Sequence, residues 1–392
     1  MFKQIAAVTW MNLRNIPQRL GISLVIVIGI AVTVAVLVSV LAMEAGFNKT
    51  LSNTGRMDRA IVLRGGSNAE ISSTISRDGA LTIMDAPGVK KSGDGKVIAS
   101  ADVVAIVNLP QKSTGSDANV VLRGVGPKAF ELRPEIHLIE GRPFQPAVRE
   151  LIVGKSARAQ FKGLEVGGHI AFRDADWTVV GVYESNGDAH ESEMMADVET
   201  VLSAYRRNLF QSVTVMLDSP DDFDAFRDSL TTNPSLTVDV KREPTYYAEQ
   251  SKQLNKLLNF LAFVVGSIMA VGAVFGTLNT MYSAVSTRML EIATLRAIGF
   301  GGLAVVISVL TEALLVALAG GALGATLAWL FFNGNVVNTL GANFSQVVFH
   351  LTVTIALLVQ GILWACAIGV IGGLFPAMRA ARAPVAEALR SG

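Results

Sequence analysis

Four long apolar segments constrain this chain more than any other feature of its sequence. A helix of about 20 apolar residues spans the hydrocarbon core of a bilayer, and each segment reaches that length. Glu312 is the one charged residue within them. The chain is 51% hydrophobic and 17% charged, which is typical of a membrane protein. The sequence therefore predicts four transmembrane helices, at 20–43, 257–285, 302–332 and 351–378.

The distribution of basic residues predicts how these helices are oriented. Short loops rich in lysine and arginine stay in the cytoplasm, whereas a long domain can be translocated whatever its charge. Of the 33 basic residues, those outside 44–256 all fall before the first span, between the second and third, or after the fourth. Both termini and the loop at 286–300 are therefore predicted to be cytoplasmic, as is the tail at 379–392. The segment 44–256 and the short loop 333–350 are predicted to lie on the outer side.

The residues before the first span allow two interpretations. The pattern of 1–19 is typical of an amphipathic helix lying along the cytoplasmic leaflet, or simply of the positive flank of a signal anchor. The apolar run that follows is longer than the roughly 7–15-residue core of a signal peptide. We therefore expect an uncleaved anchor.

The outer segment 44–256 is large enough to have a core of its own. Its patterns predict an α+β domain with a β-rich subdomain at about 134–185. Helices are predicted at Met195–Asn208 and at Ser219–Leu230. In the second, Ser219 has the residue type of an N-cap, and proline follows in the first helical position.

The helical spans are predicted to continue into this segment. Polar helical patterns at 44–51 and 243–256 indicate stalk helices that run directly into the neighbouring spans. The segment is slightly acidic and offers no basic face, so no nucleic-acid partner is expected. Cys366 is the only cysteine, which rules out a disulfide within the chain.

Catalytic motifs are missing from the sequence. There is no G-x-x-x-x-G-K-[ST] phosphate loop, no G-x-S-x-G elbow and no H-E-x-x-H helix. We therefore expect a non-catalytic chain that binds no cofactor itself. The residues Asp188, His190, Glu191 and Glu193 could bind a metal, but their spacing matches no standard site. Carboxylates in such a glycine-containing loop are usually solvated, and that is the first interpretation.

Two features of the spans have more than one interpretation. A carboxylate is costly in lipid, so Glu312 either has a functional role or makes a packing hydrogen bond.

Gly-x-x-x-Gly spacings let membrane helices approach closely. Internal packing is the first interpretation of these spacings and dimerisation the second. They occur at Gly272/Gly276, Gly320/Gly324 and Gly369/Gly373.

The charged loop Ser286–Gly299 predicts a short amphipathic helix between two spans. Arg288 and Glu291 are spaced as i,i+3 partners, and glycine suits the end of the helix. Ile292, Leu295 and Ile298 are predicted to form one apolar ridge. A helix this short needs a partner surface to stay ordered, although an ordinary positive loop with a surface helix also fits. Such a helix could transmit force between the membrane and a partner protein docked on it. The candidate residues for this coupling are Arg288, Glu291, Ile292, Leu295, Arg296, Ile298 and Gly299.

Three stretches of the chain resemble one family. The first is R-M-L-E-I-A-T-L-R-A-I-G at Arg288–Gly299, and the second is the end of the chain at Leu374–Arg390. The third consists of outer-domain motifs at Leu122–Phe130, Ile139–Phe144 and Trp177–Val182. On these residues the chain resembles four-span permeases of the FtsX/MacB-type superfamily, the mechanotransmission class of ABC transporters.

This resemblance implies a set of partners. The helix in Arg288–Gly299 would dock into a groove of an ABC ATPase, which would bind the ATP and magnesium. The first span begins at Leu20, leaving no room ahead of it for the ATPase that MacB carries on the same chain. A separate ATPase subunit and a second permease copy or paralogue are therefore expected, in a bacterial inner membrane. The outer domain would consist of a porter-like part with an inserted sabre-like part.

The resemblance also implies a function. ATP hydrolysis in the partner would change the conformation of the periplasmic domain and drive export of an envelope or periplasmic substrate. A periplasmic adaptor and an outer-membrane channel would then be further partners. Extraction of lipoproteins to a lipoprotein carrier is one alternative. Regulation of a cell-wall hydrolase is another, although such regulators usually have a smaller outer domain than 44–256.

Overall fold

The computed structural model describes residues 20–173, 175–341 and 346–382, which fall into two compact units. The sheet unit comprises Phe47–Asn255 and Val336–His350, and the helical unit comprises the other described residues. The predicted helix at 1–19 and the end of the tail at 383–392 lie outside the described residues.

The described elements are ten helices, twelve strands and a few short 3-10 turns. In chain order the helices are α1 (Leu20–Ser52), α2 (Arg77–Met84), α3 (Ala129–Leu132), α4 (Lys155–Gln160), α5 (Val198–Ala204), α6 (Phe223–Thr231), α7 (Glu243–Thr287), α8 (Met289–Ala297), α9 (Gly302–Phe332) and α10 (Ile355–Arg382). The strands are β1 (Arg59–Arg64), β2 (Ala99–Pro110), β3 (Asp117–Val125), β4 (His137–Gly141), β5 (Glu150–Gly154), β6 (His169–Phe172), β7 (Ala175–Glu184), β8 (Glu193–Asp197), β9 (Ser212–Met216), β10 (Val238–Arg242), β11 (Val336–Leu340) and β12 (Gln346–His350).

Four helices, α1, α7, α9 and α10, are long and apolar enough to cross a membrane, judged by length and composition over the described residues. The first three contain the apolar segments at 20–43, 257–285 and 302–332, whereas α10 begins at Ile355, four residues after the start of the predicted span at 351–378. Both α1 and α7 are longer than those segments, and they include the polar patterns at 44–51 and 243–256. The helical unit buries small and branched side chains between these helices, among them Val34 and Ala365.

Glycines let three of these helices pack closely. A Cβ atom on Gly324 of α9 would collide with the carbonyl oxygen of Ala31 in α1. On α10, a Cβ at Gly373 would lie 2.7 Å from the Cβ of Ala313 in α9. By contrast, Gly272 of α7 has open space around its Cβ position within the described structure. A Cβ at Gly320 or at Gly369 would likewise be too close to a neighbouring helix. Two of the three Gly-x-x-x-Gly spacings therefore serve internal packing.

The sheet unit is built on one ten-stranded mixed sheet. Its strand order is β10-β1-β9-β2-β3-β8-β5-β7-β4, with β6 paired to β7. The pairs β3–β8 and β5–β7 are parallel, and the others are antiparallel. Inward-facing residues such as Val62, Leu122, Trp177 and Phe226 are fully buried against the flanking helices. The sheet unit is therefore an α+β domain, as the sequence predicts.

The predicted β-rich subdomain at about 134–185 does not form a sheet of its own. Strands β4 to β7 lie within that range, and β5 pairs with β8 along Leu151–Val153, which joins them to the main sheet. The sequence pattern shows that strands are present there. It does not show that a later strand, β8, bridges them to β3.

Two local helix predictions have different outcomes. The predicted helix at Met195–Asn208 is wrong at its start, because Glu193–Asp197 is the buried strand β8 and the helix runs only over α5. Pairing on both sides of β8 overrides the helical pattern of its residues. At the other site Ser219 does cap its helix. Its hydroxyl accepts from the Asp221 backbone, and the carboxylate of Asp222 accepts from the Ser219 backbone.

The segment predicted as a short loop at 333–350 contains a β-hairpin, β11–β12. The hairpin belongs to the sheet unit. The backbone N–H of Val348 donates to the Ser192 hydroxyl at 2.9 Å, and the ring of Phe349 meets that of Phe47 edge to face at 5.5 Å. The loop is therefore an integral part of that unit rather than a simple connection.

Candidate functional site

The helix α8 is set off from α7 by a single residue. Arg288 has φ −105° and ψ 7°, which interrupts the α-helical path after Thr287. Its carbonyl then accepts from the N–H of Ile292 at 3.0 Å and starts α8. The charged loop of the sequence is therefore a nine-residue helix between two long apolar ones.

A glycine ends this helix as the sequence predicts. Gly299 has φ +100°, a backbone conformation that favours glycine. The N–H of Gly299 donates to the Arg296 carbonyl and the N–H of Phe300 donates to the Leu295 carbonyl, each at 3.1 Å. This pair of bonds is the Schellman motif, and it satisfies carbonyls that the end of a helix leaves without partners.

Arg288 is paired with Glu312 of α9. Its Nη1 lies 2.6 Å from Oε2 and its Nη2 lies 3.1 Å from Oε1, so the contact is two-pronged. Both residues are buried, at 4% and 7% exposure. The predicted partner, Glu291, is instead exposed. A carboxylate buried between apolar helices is costly without a cation, whereas an exposed carboxylate is solvated by water. Arg288 therefore pairs with the buried Glu312 and not with the exposed Glu291.

A narrow cleft of about 10 Å³ lies beside this ion pair. Apolar residues from three helices line it, among them Met281, Ile292 and Val309. That volume holds about one water molecule. The cleft is therefore a tightly packed junction of α7, α8 and α9 and is too small for an organic ligand.

The predicted apolar ridge of α8 is divided between two environments. Ile292 is buried at 8%, Leu295 is half-buried, and Ile298 is 70% exposed. Ile292 therefore packs into the helical unit and is not available to a partner, which corrects the prediction. The sequence interpretation also missed Leu290, which is 48% exposed. Leu290 and Ile298 are eight positions apart on one face of the helix, and that spacing could have identified them.

We define the outer face of α8 as Leu290, Thr294 and Ile298. All three residues are exposed, and each is four positions from the next. Arg296 is half-buried and has a contact of its own. The helix thus has a buried side that holds it to its neighbours and a partly apolar outer face.

The second candidate cluster, at Asp188–Glu193, lies in the sheet unit. The first interpretation, a solvated loop, is wrong, because Asp188, His190, Glu191 and Glu193 are exposed by only 1% to 8%. Arg123 donates to Glu193 from Nε at 2.7 Å, and His190 Nδ1 lies 3.1 Å from the same carboxylate. Within the described residues no group of three or more His, Cys, Asp or Glu side chains is arranged to hold a metal ion.

Electrostatics in this cluster follow from burial and pairing. Burial opposes ionisation of Glu193, but the charges of Arg123 and His190 outweigh it and hold the pKa of that carboxyl well below its usual range. Burial also opposes protonation of His190, yet the carboxylate of Glu193 raises its pKa. Asp188 has a weaker set of partners, so burial raises its pKa to about 6. The cluster is a paired, buried charge network, which fits a structural role.

Two family models match the chain. One, described as the MacB-like periplasmic core domain, matches residues 22–233. The other, described as the FtsX-like permease C-terminal domain, matches residues 263–385 and therefore includes α8 and Glu312.

Curated relatives match over most of the chain. The macrolide export ATP-binding/permease protein MacB of Shewanella oneidensis is 26% identical over 370 residues, covering 84% of this chain and 55% of the relative. The protein of the same name from Escherichia coli is 26% identical over 373 residues, covering 91% and 56%. The chain thus spans about half the length of these relatives.

Two solved structures are similar to part of the chain. The extracellular domain of the transporter YknZ from Gram-positive bacteria has 16% identity and a TM-score of 0.36, and the match covers 47% of this chain and 99% of that one. The periplasmic region of MacB from Actinobacillus actinomycetemcomitans has 14% identity and a TM-score of 0.37, covering 49% and 92%.

Proposed function

The chain belongs to the FtsX/MacB-type family of ABC transporter permeases, and we propose that it converts ATP hydrolysis in a partner subunit into movement of its sheet unit. The observation that carries this proposal is α8, a short helix anchored on one side and partly apolar on the other. Its exposed Leu290 and Ile298 would dock into the ATPase.

Exposed apolar side chains on a short helix favour a docking role. Two large aliphatic side chains on one face gain free energy when a partner covers them. The capped end at Gly299 and the buried pair Arg288–Glu312 hold the helix in one shape, so docking would cost little ordering entropy. In this proposal ATP and magnesium are bound by the ATPase partner, and this chain supplies no catalytic residue.

The proposed topology follows from the charge distribution. Both termini and α8 would face the cytoplasm, and the sheet unit would lie in the periplasm of a bacterium with its helices in the inner membrane. A second permease copy or paralogue would complete the transporter. The substrate would be an envelope or periplasmic compound exported through an adaptor and an outer-membrane channel. The names of the relatives refer to export, which favours this function over lipoprotein release or hydrolase regulation.

The test is to substitute the outer face of α8 and to measure docking. The full chain would be co-expressed with ABC ATPase subunits of its source genome and purified in nanodiscs. We expect Leu290→Asp and Ile298→Asp to reduce the copurified ATPase and the ATP turnover of the complex at least tenfold, because a buried charge opposes docking. Leu81→Asp is the matched control, since Leu81 is 58% exposed on α2 in the sheet unit. If all three variants behave alike, the docking assignment is wrong.

A further inference from the structure

We infer that Glu312 is a positioning residue that fixes the orientation of α8 on α9 through Arg288. This inference rests on the proposed function, since the orientation matters only if α8 transmits movement. It assigns a role to the one acidic residue of the four apolar segments. It also names α9 as the long helix to which an ion pair ties α8.

The covalent link from α8 to α9 is short and rich in glycine. It contains Gly299, Phe300 and Gly301, and the first of these adopts φ +100°. A Cβ at either glycine would find no atom of the described structure within 4 Å. Glycine has more backbone freedom than any other residue, and the Schellman bonds of Gly299 and Phe300 run back to α8 and not to α9. The peptide link alone therefore gives α8 little fixed orientation relative to α9.

The ion pair connects the same two helices by a second route. Glu312 lies ten residues after the start of α9, which is about 15 Å along the helix axis. Arg288 lies at the opposite end of α8 from the glycine link. The helices α8 and α9 are therefore joined at two separated points, the 299–301 link and the ion pair. Two such points fix the angle between the helix axes, which the link alone would not do.

The geometry of the pair gives it direction as well as strength. Both terminal nitrogens of Arg288 donate to the two oxygens of Glu312, which fixes the plane of the guanidinium relative to the carboxylate. Burial at 4% and 7% keeps water from competing for these bonds. On the same side of α8, Ile292 and Ala293 pack into the helical unit. A tilt of α8 would have to break the pair and this packing together.

A purely structural role makes a different prediction. Replacing a buried ion pair by apolar residues of similar volume is often neutral or stabilising. The double variant Arg288→Met/Glu312→Leu keeps apolar packing but removes the directional bonds. If the pair only stabilises the fold, this variant keeps both the orientation of α8 and ATP coupling. If the pair positions α8, the variant is folded but loses both.

The orientation can be measured without an ATPase. In the full chain with Cys366→Ala, spin labels at Thr294→Cys on α8 and Leu323→Cys on α9 report an interhelical distance; both sites are exposed. We expect a narrow distribution in the parent. We expect at least a twofold broader one in Glu312→Gln and in Arg288→Met/Glu312→Leu. The reversed pair Arg288→Glu/Glu312→Arg should narrow it again. The control is Glu291→Gln, the same chemical change at an exposed acid of α8, and it should leave the width of the distance distribution unchanged.

ATP turnover of the complex then separates the two proposals. Broadening in Glu312→Gln together with at least a fivefold loss of permease-dependent turnover supports the inference. An unchanged distance distribution in Glu312→Gln overturns it, whatever the ATPase does. Broadening with normal turnover also overturns it, provided that Ile298→Asp abolishes turnover and so upholds the proposed function. If Ile298→Asp has no effect either, it is the proposed function that fails.

Discussion

Arg123 and Glu70, which are 53 positions apart in the chain, form a buried two-pronged ion pair in the sheet unit. Nη1 lies 2.7 Å from Oε1 and Nη2 lies 2.8 Å from Oε2, with both side chains only 1% exposed. The same guanidinium also binds Glu193 of β8. One arginine thus pairs with two buried carboxylates, and Glu193 has His190 as a further partner.

Removing this arginine should destabilise the sheet unit strongly. Arg123→Met leaves Glu70 buried without its cation and Glu193 with His190 alone, and breaking a buried ion pair costs about 3–5 kcal/mol. Denaturant unfolding of the full chain, followed by circular dichroism, measures the loss. Arg149→Met is the matched control, because Arg149 is exposed. A loss of less than 1 kcal/mol in Arg123→Met would show that the network contributes little.

Asp188 should make stability depend on pH between about 4 and 6. Burial raises its pKa from 3.8 to about 6, so the folded state disfavours the ionised carboxylate. The contribution of Asp188 is favourable below its unfolded pKa and is lost as pH rises through the folded value. Asp188→Asn cannot ionise and avoids this loss. Relative to the parent, the variant should therefore gain about 2 kcal/mol of stability between pH 4 and pH 7.

Unfolding free energies of the two proteins at several pH values check this prediction. Titrating groups remote from Asp188 are common to both proteins and cancel in the difference, whereas the pKa of His190, which the charge of Asp188 helps to raise, should fall in the variant. A difference that does not change with pH, or one that falls as pH rises, would contradict the assigned pKa.

Gly299 and Gly301 provide a matched test of the end of α8. Both have room for a methyl group, but only Gly299 has a positive φ. Gly299→Ala should therefore strain the Schellman motif by about 1 kcal/mol, whereas Gly301→Ala, at φ −68°, should cause no such strain at the end of α8. Hydrogen exchange of the peptide containing α8 reports the effect as faster exchange. Equal exchange in the two variants would mean that the positive φ is not required.

The close approach of α1 and α9 predicts a further contrast. A methyl group on Gly324 would meet the backbone of Ala31, which cannot move as a side chain can. We expect Gly324→Ala to lower stability in detergent by about 1–3 kcal/mol, the usual cost of overpacking. Gly272→Ala, on α7, should be close to neutral. Thermal unfolding of both variants in detergent measures the two effects. A larger effect at Gly272 would indicate a contact outside the described chain.

Hydropathy and local spacing predicted much of this structure. Three of the four predicted spans lie within a long helix and the fourth overlaps α10 from Ile355 onward, and the charged loop contains α8 with its glycine stop at Gly299. The cap at Ser219 was also correct. These features depend on residues close together in sequence, so their chemistry is visible in the sequence itself.

What the sequence did not reveal depends on distant partners. Local spacing predicts that Arg288 pairs with Glu291 three positions away, but it pairs with Glu312, which is 24 positions away. The glycine-containing loop favours solvated acids at 188–193, and the Arg123 that pairs with Glu193 lies 70 positions earlier in the chain. Strand β8 has a helical pattern and is a strand because β3 and β5 pair with it on either side. No local pattern reports such contacts.

The β-hairpin β11–β12 has a consequence for how the chain is made. The sheet unit needs this hairpin to cover Phe47 and to bond Ser192, yet the ribosome makes it only after α7, α8 and α9. Residues 47–255 therefore cannot complete the sheet unit until the third long helix, α9, and the hairpin after it have been synthesised. Domains usually fold as units during synthesis, and this one is finished only by a late segment. A nascent chain that stalled within α9 would leave Phe47 uncovered, as would a fragment ending at Asn255.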